Sequence, residues 1–337
     1  MREIGSEFWD IPLKNEENFI YPGDCQWLFT GRGALSFIIE DIRLSGRKAE
    51  KAALPAWCCE SMVKPFLDAE IDVCFYPVYP GNGGLMRDFS GISDCDILLD
   101  VEYFGFEKRE APDFPGIVIR DATHSIFRPD MKGDYIFGSL RKWAGFSAGA
   151  FVRKAAGAFR ARCGIRPEDG YGDLRSRAMA EKRAYIEGRS DSKAFLSVFS
   201  ASHALLENAP TGPASAEDIY AARHMDGELI IKKRRENAAV LTEALPELTV
   251  FSKMDPDSVP LFVPVIIGGG KRDGLRKKLT ENSVYCPVHW PLSPVQRPDG
   301  KSGRLYSEEL SLVCDQRYSP EDMKKTVRLV REYLYGI

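Results

Sequence analysis

The sequence predicts an α/β protein: a mainly parallel sheet flanked by helices in a large domain, residues 1–230, followed by a smaller α+β domain, residues 231–337. Three observations predict it. Short apolar runs recur without polar alternation, as strands buried on both faces require. Helix-length segments such as the one from Glu60 to Ala69 separate several of these runs. The residues beyond 231 carry strand, turn and helix signals of their own.

In chain order, Thr30-Gly31-Arg32-Gly33 opens a helix, with Leu35, Ile38, Ile39 and Ile42 at helical spacing and Ser45-Gly46 closing it. Strands are predicted over 52–54, 73–76, 97–101, 117–119, 135–137 and 150–152. Ser215-Ala216-Glu217-Asp218 marks a helix start, and the periodicity continues through Leu229, Ile230, Ala238 and Leu241 towards Pro246. One long helix of the kind that bridges two domains is predicted there. The second domain reads as a strand over 261–267, a turn at Gly268-Gly269-Gly270, a helix near 274–281 and a strand over 310–313. Its last helix begins at Ser319-Pro320-Glu321-Asp322 and carries the apolar stripe Met323, Val327, Val330 and Leu334.

Composition narrows the function classes. With 337 residues, 44% of them hydrophobic, the chain can fill two cores. A net charge of -3 gives no electrostatic case for nucleic acid, and the basic run Lys232-Lys233-Arg234-Arg235, followed by Glu236, reads as a solvated helix face. The stretch from Met1 to Ile20 has no apolar leader pattern, and no later run is long enough for a membrane span, so a cytoplasmic protein is expected. Eight cysteines without a C-x-x-C fit reduced thiols better than a disulfide framework or a metal site.

Two residues carry the chemistry. Asp121 ends a strand in Asp121-Ala122-Thr123-His124, and Lys142 ends Gly138-Ser139-Leu140-Arg141-Lys142 after the next one. A lysine amine can hold a cofactor aldehyde as a Schiff base, and a carboxylate can keep a pyridine nitrogen protonated so that the ring accepts electrons. That pairing suggests pyridoxal phosphate. The glycine loop at Thr30 suits an anion, because a helix N-terminus offers unpaired amides and the favourable end of the dipole. Read alone, it is also a plain helix entry, and Asp121 is also a plain helix cap.

With this order of elements, the chain resembles the fold type I pyridoxal phosphate enzymes, and among them the DegT/StrS-type sugar aminotransferases, from about Thr30 to Tyr335. The resemblance implies that Gly31, Arg32 and Gly33 bind the cofactor phosphate together with the Ser139 hydroxyl, with Arg141 adding charge. It implies that Asp121 pairs with the pyridinium, that His124 contacts the phenolic oxygen where the family has glutamine, and that Lys142 forms the internal aldimine. Trp57 or Cys59 would stack on the ring; Trp57 also suits the core. Glu102-Tyr103-Phe104-Gly105 resembles the family's H-x-x-G turn, with glutamate in the histidine position.

In the second domain, His289 is the candidate substrate contact, and Arg304 and Arg317 are possible forks for a carboxylate or phosphate. The implied activity is transfer of an amino group from an amino donor to a carbonyl acceptor, a sugar or a small keto compound, in a homodimer. The segment 160–208 is expected to shape the entrance and the dimer contact. A lyase, decarboxylase or racemase on the same cofactor, and a non-catalytic binding protein on the same fold, stay open.

Overall fold

The apolar runs become a seven-stranded sheet, and those over 52–54, 97–101 and 117–119 are buried throughout, as cover on both faces of a parallel sheet requires. The computed structural model describes residues 3–17, 25–165, 170–207, 209–296, 298 and 300–336; Met1, Ile20 and Asn208, which bound segments named above, lie outside them. In order, the first elements are β1 (Ile4–Gly5), β2 (Gln26–Leu28), α1 (Gly31–Leu44), β3 (Lys51–Pro55), α2 (Glu60–Asp68) and β4 (Asp72–Tyr76). A hairpin of β5 (Val78–Gly81) and β6 (Gly84–Arg87) precedes β7 (Ile97–Val101), β8 (Ile117–Asp121), β9 (Tyr135–Ser139) and β10 (Ala150–Lys154). Helices α3 (Tyr171–Ile186), α4 (Phe195–Glu207), α5 (Ala216–His224) and α6 (Gly227–Ala244) follow. The chain closes with β11 (Val263–Ile266), α7 (Arg272–Glu281), β12 (Val284–Tyr285), α8 (Gly300–Glu308), β13 (Glu309–Leu312) and α9 (Pro320–Tyr335).

The large sheet has the order β2-β10-β9-β8-β7-β3-β4, and only β10 runs against its neighbours. The carboxyl ends of β3, β7, β8 and β9 therefore open on one side, beside the N-terminus of α1, where ligands bind in open parallel sheets. β11 pairs antiparallel with β13, and β1 pairs with β12, so the N-terminal residues join the C-terminal unit.

Two sequence expectations are corrected. The helix predicted from Ser215 towards Pro246 is two helices, α5 and α6. Met225 is extended (φ -60°, ψ 128°) because the chain start pairs with it: the Lys14 amide donates to the His224 carbonyl (2.7 Å), and the Asp226 amide donates to Pro12 (2.8 Å). Asp226 then caps α6 through the Leu229 amide (3.0 Å). The basic run is also not wholly solvated. Four consecutive helical residues sweep the whole circumference, and Arg234 is the one turned inward, its guanidinium 4.6 Å from the Trp143 ring and donating to the Leu261 carbonyl at 2.8 Å.

Beneath the sheet lies a buried ionic layer. Asp100 on β7 and Arg120 on β8 are register partners 3.2 Å apart; Arg87 pairs with Asp100 at 3.1 Å, and Glu102 pairs with Arg120. Removing one partner strands a buried charge. Asp100→Ala is accordingly expected to cost about 3–5 kcal/mol in a denaturant titration, whereas Lys64→Ala, which breaks an exposed i,i+4 pair with Asp68, should change the midpoint little.

Candidate functional site

Thr30 starts the site. Its side chain accepts the Gly33 amide (2.9 Å), which caps α1 and leaves the amides of Gly31 and Arg32 without an intrahelical partner. Gly33 is thus spent on the cap and does not line the cavity. Gly31 packs against Ser139, so a methyl group there would lie 3.5 Å from the serine Cβ. The Arg32 guanidinium reaches away to the carbonyls of Leu206 (2.9 Å) and Ala209 (3.4 Å), so it fixes the end of α4.

Asp121 ends β8 with its carboxylate buried. It accepts the Thr123 amide at 2.8 Å and has no ion-pair partner among the described residues. Burial pushes its pKa up to about 6, against the lowering effect of Thr123 and of the Lys142 charge. Thr123 ties the site together: its Oγ1 accepts the Ser139 amide (3.2 Å), and its carbonyl accepts the Trp143 indole (2.7 Å).

His124 is held neutral. Burial, and then the Lys142 charge, push its pKa down to about 3. Its Nδ1 accepts the Phe104 amide at 3.3 Å, so the ring proton sits on Nε2. The turn that supplies this amide admits no side chain at Gly105, where φ is +73° and a Cβ would lie 2.2 Å from the Val259 carbonyl. Glu102, at the start of the turn, belongs to the ionic layer instead.

Lys142 closes a single 3-10 turn after β9, anchored by the buried Trp143. Its side chain reaches into open space although it is set deep in the protein, and burial with the nearby Arg141 lowers its pKa, against Cys59, Glu7 and Asp121. It is a shared wall. On one side is a cavity of about 290 Å³ that includes Gly31, Cys59, Asp121, His124, Ser139 and Trp290 in its lining. On the other is a cavity of about 380 Å³, with Glu7, Arg276, Tyr285, His289 and Arg317 in its lining; Arg141 borders both.

Of the two residues proposed to flank a flat ligand, Cys59 lines the first cavity, with its Sγ 2.9 Å from Ser61 Oγ. Trp57 does not. It is fully buried, stacked on Tyr103 at 5.1 Å, and braces Trp290 edge-on at 5.3 Å. Trp290, with its ring near-parallel to that of His124 at 5.7 Å, is the aromatic on the wall. Sequence reading passed over it beside His289, because nothing in a proline-rich segment shows which of two adjacent rings faces which cavity.

His289 is buried on the second cavity, its Nδ1 2.8 Å from Ser311 Oγ and its amide donating to Glu309 (2.7 Å); burial holds it well below the usual imidazole range. Arg317 is also there, but its fork is taken. Asp315 holds it at 2.9 and 2.8 Å, and the carbonyls of Glu7 and Ser6 accept from it. Arg304 pairs with Glu308 on α8 and lines neither cavity. Sequence reading missed Glu7 entirely. Held by Arg175 (2.7 Å) and near His203 (3.3 Å), it comes from an irregular N-terminal segment without any motif; burial opposes its ionisation, and the contact with His203 and the charges of Arg175 and Arg141 overcome it.

Among the described residues no group of His, Cys, Asp and Glu could hold a metal ion. No helix among them is long and apolar enough to cross a membrane.

No family model matches this sequence. Neither does any curated protein sequence. Solved structures do. A DegT/DnrJ/EryC1/StrS aminotransferase from Brucella abortus matches with TM-score 0.61 at 13% identity, over 92% of this chain and 86% of that one. DesV of S. venezuelae, solved with a ketimine intermediate, matches with TM-score 0.62 at 17% identity, over 94% and 86%. Spr1654 of Streptococcus pneumoniae, in its PMP form, matches with TM-score 0.64 at 9% identity, over 92% and 88%. The chain has the fold of these aminotransferases. Within the aminotransferase fold, the two cavities lie where the parallel strands end, between the large sheet and the C-terminal unit.

Proposed function

We propose that this chain is a pyridoxal-phosphate-dependent aminotransferase that moves an amino group from an amino donor to a carbonyl acceptor. One observation carries the reading: a buried carboxylate without a cation, Asp121, faces the same cavity as the deep-set amine of Lys142. A carboxylate so placed fits a pyridinium, and the free amides of Gly31 and Arg32 with the nearby Ser139 fit a phosphate. The Nε2–H of neutral His124 fits a phenolic oxygen.

Bound there, pyridoxal phosphate would supply an aldehyde for the amine and a ring that accepts an electron pair. The residues do the rest. Lys142 Nζ would hold the cofactor aldehyde, and as a free amine it would move the proton of the substrate α-carbon. Its lowered pKa leaves more neutral amine for this at pH 7 than a surface lysine has. Asp121 would place its negative charge against the ring nitrogen. The second cavity receives the substrate, with His289, Tyr285 and Arg276 on its walls, so a single amine serves both chambers. Trp290, braced from behind by Trp57, forms one wall of the first. We place the cofactor in the domain over 1–230 and the substrate-facing His289 in the domain over 231–337, and propose a cytoplasmic homodimer with the α3–α4 region near its contact.

The test is a half-reaction. Amino donors added to the loaded protein should convert the cofactor to its aminated form, read by its absorbance, and a carbonyl acceptor should restore it. A lyase, decarboxylase or racemase would turn over its substrate while the cofactor spectrum returns unchanged, and a binding protein would do neither.

A further inference from the structure

We infer that Cys74 and Cys95 form an oxidisable thiol pair, a modification site separate from both cavities, with a peroxide as its co-reactant. Their sulfurs lie 3.1 Å apart, and neither residue lines either cavity. A disulfide bond is about 2.05 Å long, so closure needs a movement of about 1 Å. Cys74 sits on β4, the edge strand of the large sheet, and Cys95 lies just before β7. The chain between them, about twenty residues, carries the β5–β6 hairpin and Arg87 of the ionic layer, so a bond would close the base of that excursion.

The two thiols differ in access. Cys74 is half-buried and can meet a small oxidant, whereas Cys95 is buried and its thiol is pushed up to about 12 by that burial and by Cys74. The peroxide therefore oxidises Cys74 first. Its thiol sulfur takes one peroxide oxygen as the O–O bond breaks, and the thiol proton leaves with the departing hydroxide, giving a sulfenic acid and one water. The Cys95 sulfur then attacks that sulfur: the S–O bond breaks, the S–S bond forms, and the Cys95 proton leaves with the departing hydroxide as a second water. Two thiols lose two electrons, and one peroxide becomes two waters.

The experiment uses the full chain, treated with a few equivalents of hydrogen peroxide, alkylated, digested without reductant and mapped by mass. The expected result is one peptide pair joining Cys74 to Cys95, lighter by two hydrogens and released by dithiothreitol. Both thiols should disappear about tenfold faster than that of Cys163, which is half-buried with no second thiol in contact among the described residues. In Cys95→Ser, the sulfenic acid should persist at Cys74 and be captured by dimedone. Cys74 and Cys95 remaining alkylated while Cys163 or Cys59 oxidises would overturn the proposal. So would capture of Cys74 by dimedone in the unsubstituted protein without any linked peptide. Neither readout depends on the cofactor.

Discussion

Lys142→Ala is expected to abolish covalent retention of pyridoxal phosphate and to lower amino transfer by about 10⁴-fold or more, the upper end of what one positioned general base supplies. The loss would combine the two roles proposed for one atom, Nζ: holding the cofactor and moving the substrate proton. The fold should survive. Lys142 lies on a cavity wall, and the turn that presents it is held by Trp143 through the Thr123 carbonyl and the Leu140 carbonyl. Lys142→Arg separates charge from chemistry: a guanidinium keeps the cation beside Cys59 and Asp121 but forms no stable link. It should therefore match the alanine variant in activity and match the unsubstituted protein in melting temperature. If either variant still carried the cofactor covalently after borohydride, the amine would have to be sought elsewhere.

The second large effect is expected at Asp121. Its pKa of about 6 lies above the unfolded value near 4, so the folded protein without a partner cation binds more protons than the unfolded chain between these values. Stability from this residue is therefore present at low pH and falls as pH rises from about 4 to 6. The cost is roughly 3 kcal/mol, two pKa units at about 1.4 kcal/mol each. A pyridinium held against the carboxylate, as proposed, would offset it. Pyridoxal phosphate should accordingly raise the melting temperature more at pH 8 than at pH 5. In Asp121→Asn, which keeps the shape and removes the charge, that pH difference should shrink and amino transfer should fall by about 10²–10³, the range seen when a single electrostatic stabiliser is lost. His124 should add no step between pH 5 and 8, because its pKa of about 3 keeps it neutral throughout.

What could be read from the sequence follows from how far each feature reaches along the chain. The strand predicted over 97–101 is Ile97–Val101, because a continuous apolar run has one way to be buried in a parallel sheet. Asp121 and Lys142 were visible because each follows directly on such a run. The hairpin β5–β6 and helices α3 and α4 were not named. The hairpin is short, and α3 carries charge on most faces, so neither leaves a periodic stripe.

The remaining misses are tertiary. Nothing local says that residues 12–14 pair across Met225 and split a helix, or that Glu7 enters the second cavity through Arg175. Cys59 and Trp57 stood at neighbouring positions after one strand. The structure separates them because the indole fills the core against Tyr103, which leaves the thiol on the wall and brings Trp290 from the far end of the chain. The ionic layer was equally hidden, since Asp100 and Arg120 interrupt apolar strands and meet only through sheet register.

The most direct measurement is borohydride treatment of the protein incubated with pyridoxal phosphate, followed by mass mapping of the peptides. A single phosphopyridoxyl adduct is expected on Lys142, absent from Lys142→Ala, together with a visible absorbance band that appears before reduction. No band and no adduct, or an adduct spread over surface lysines with Lys142 unmodified, would contradict it.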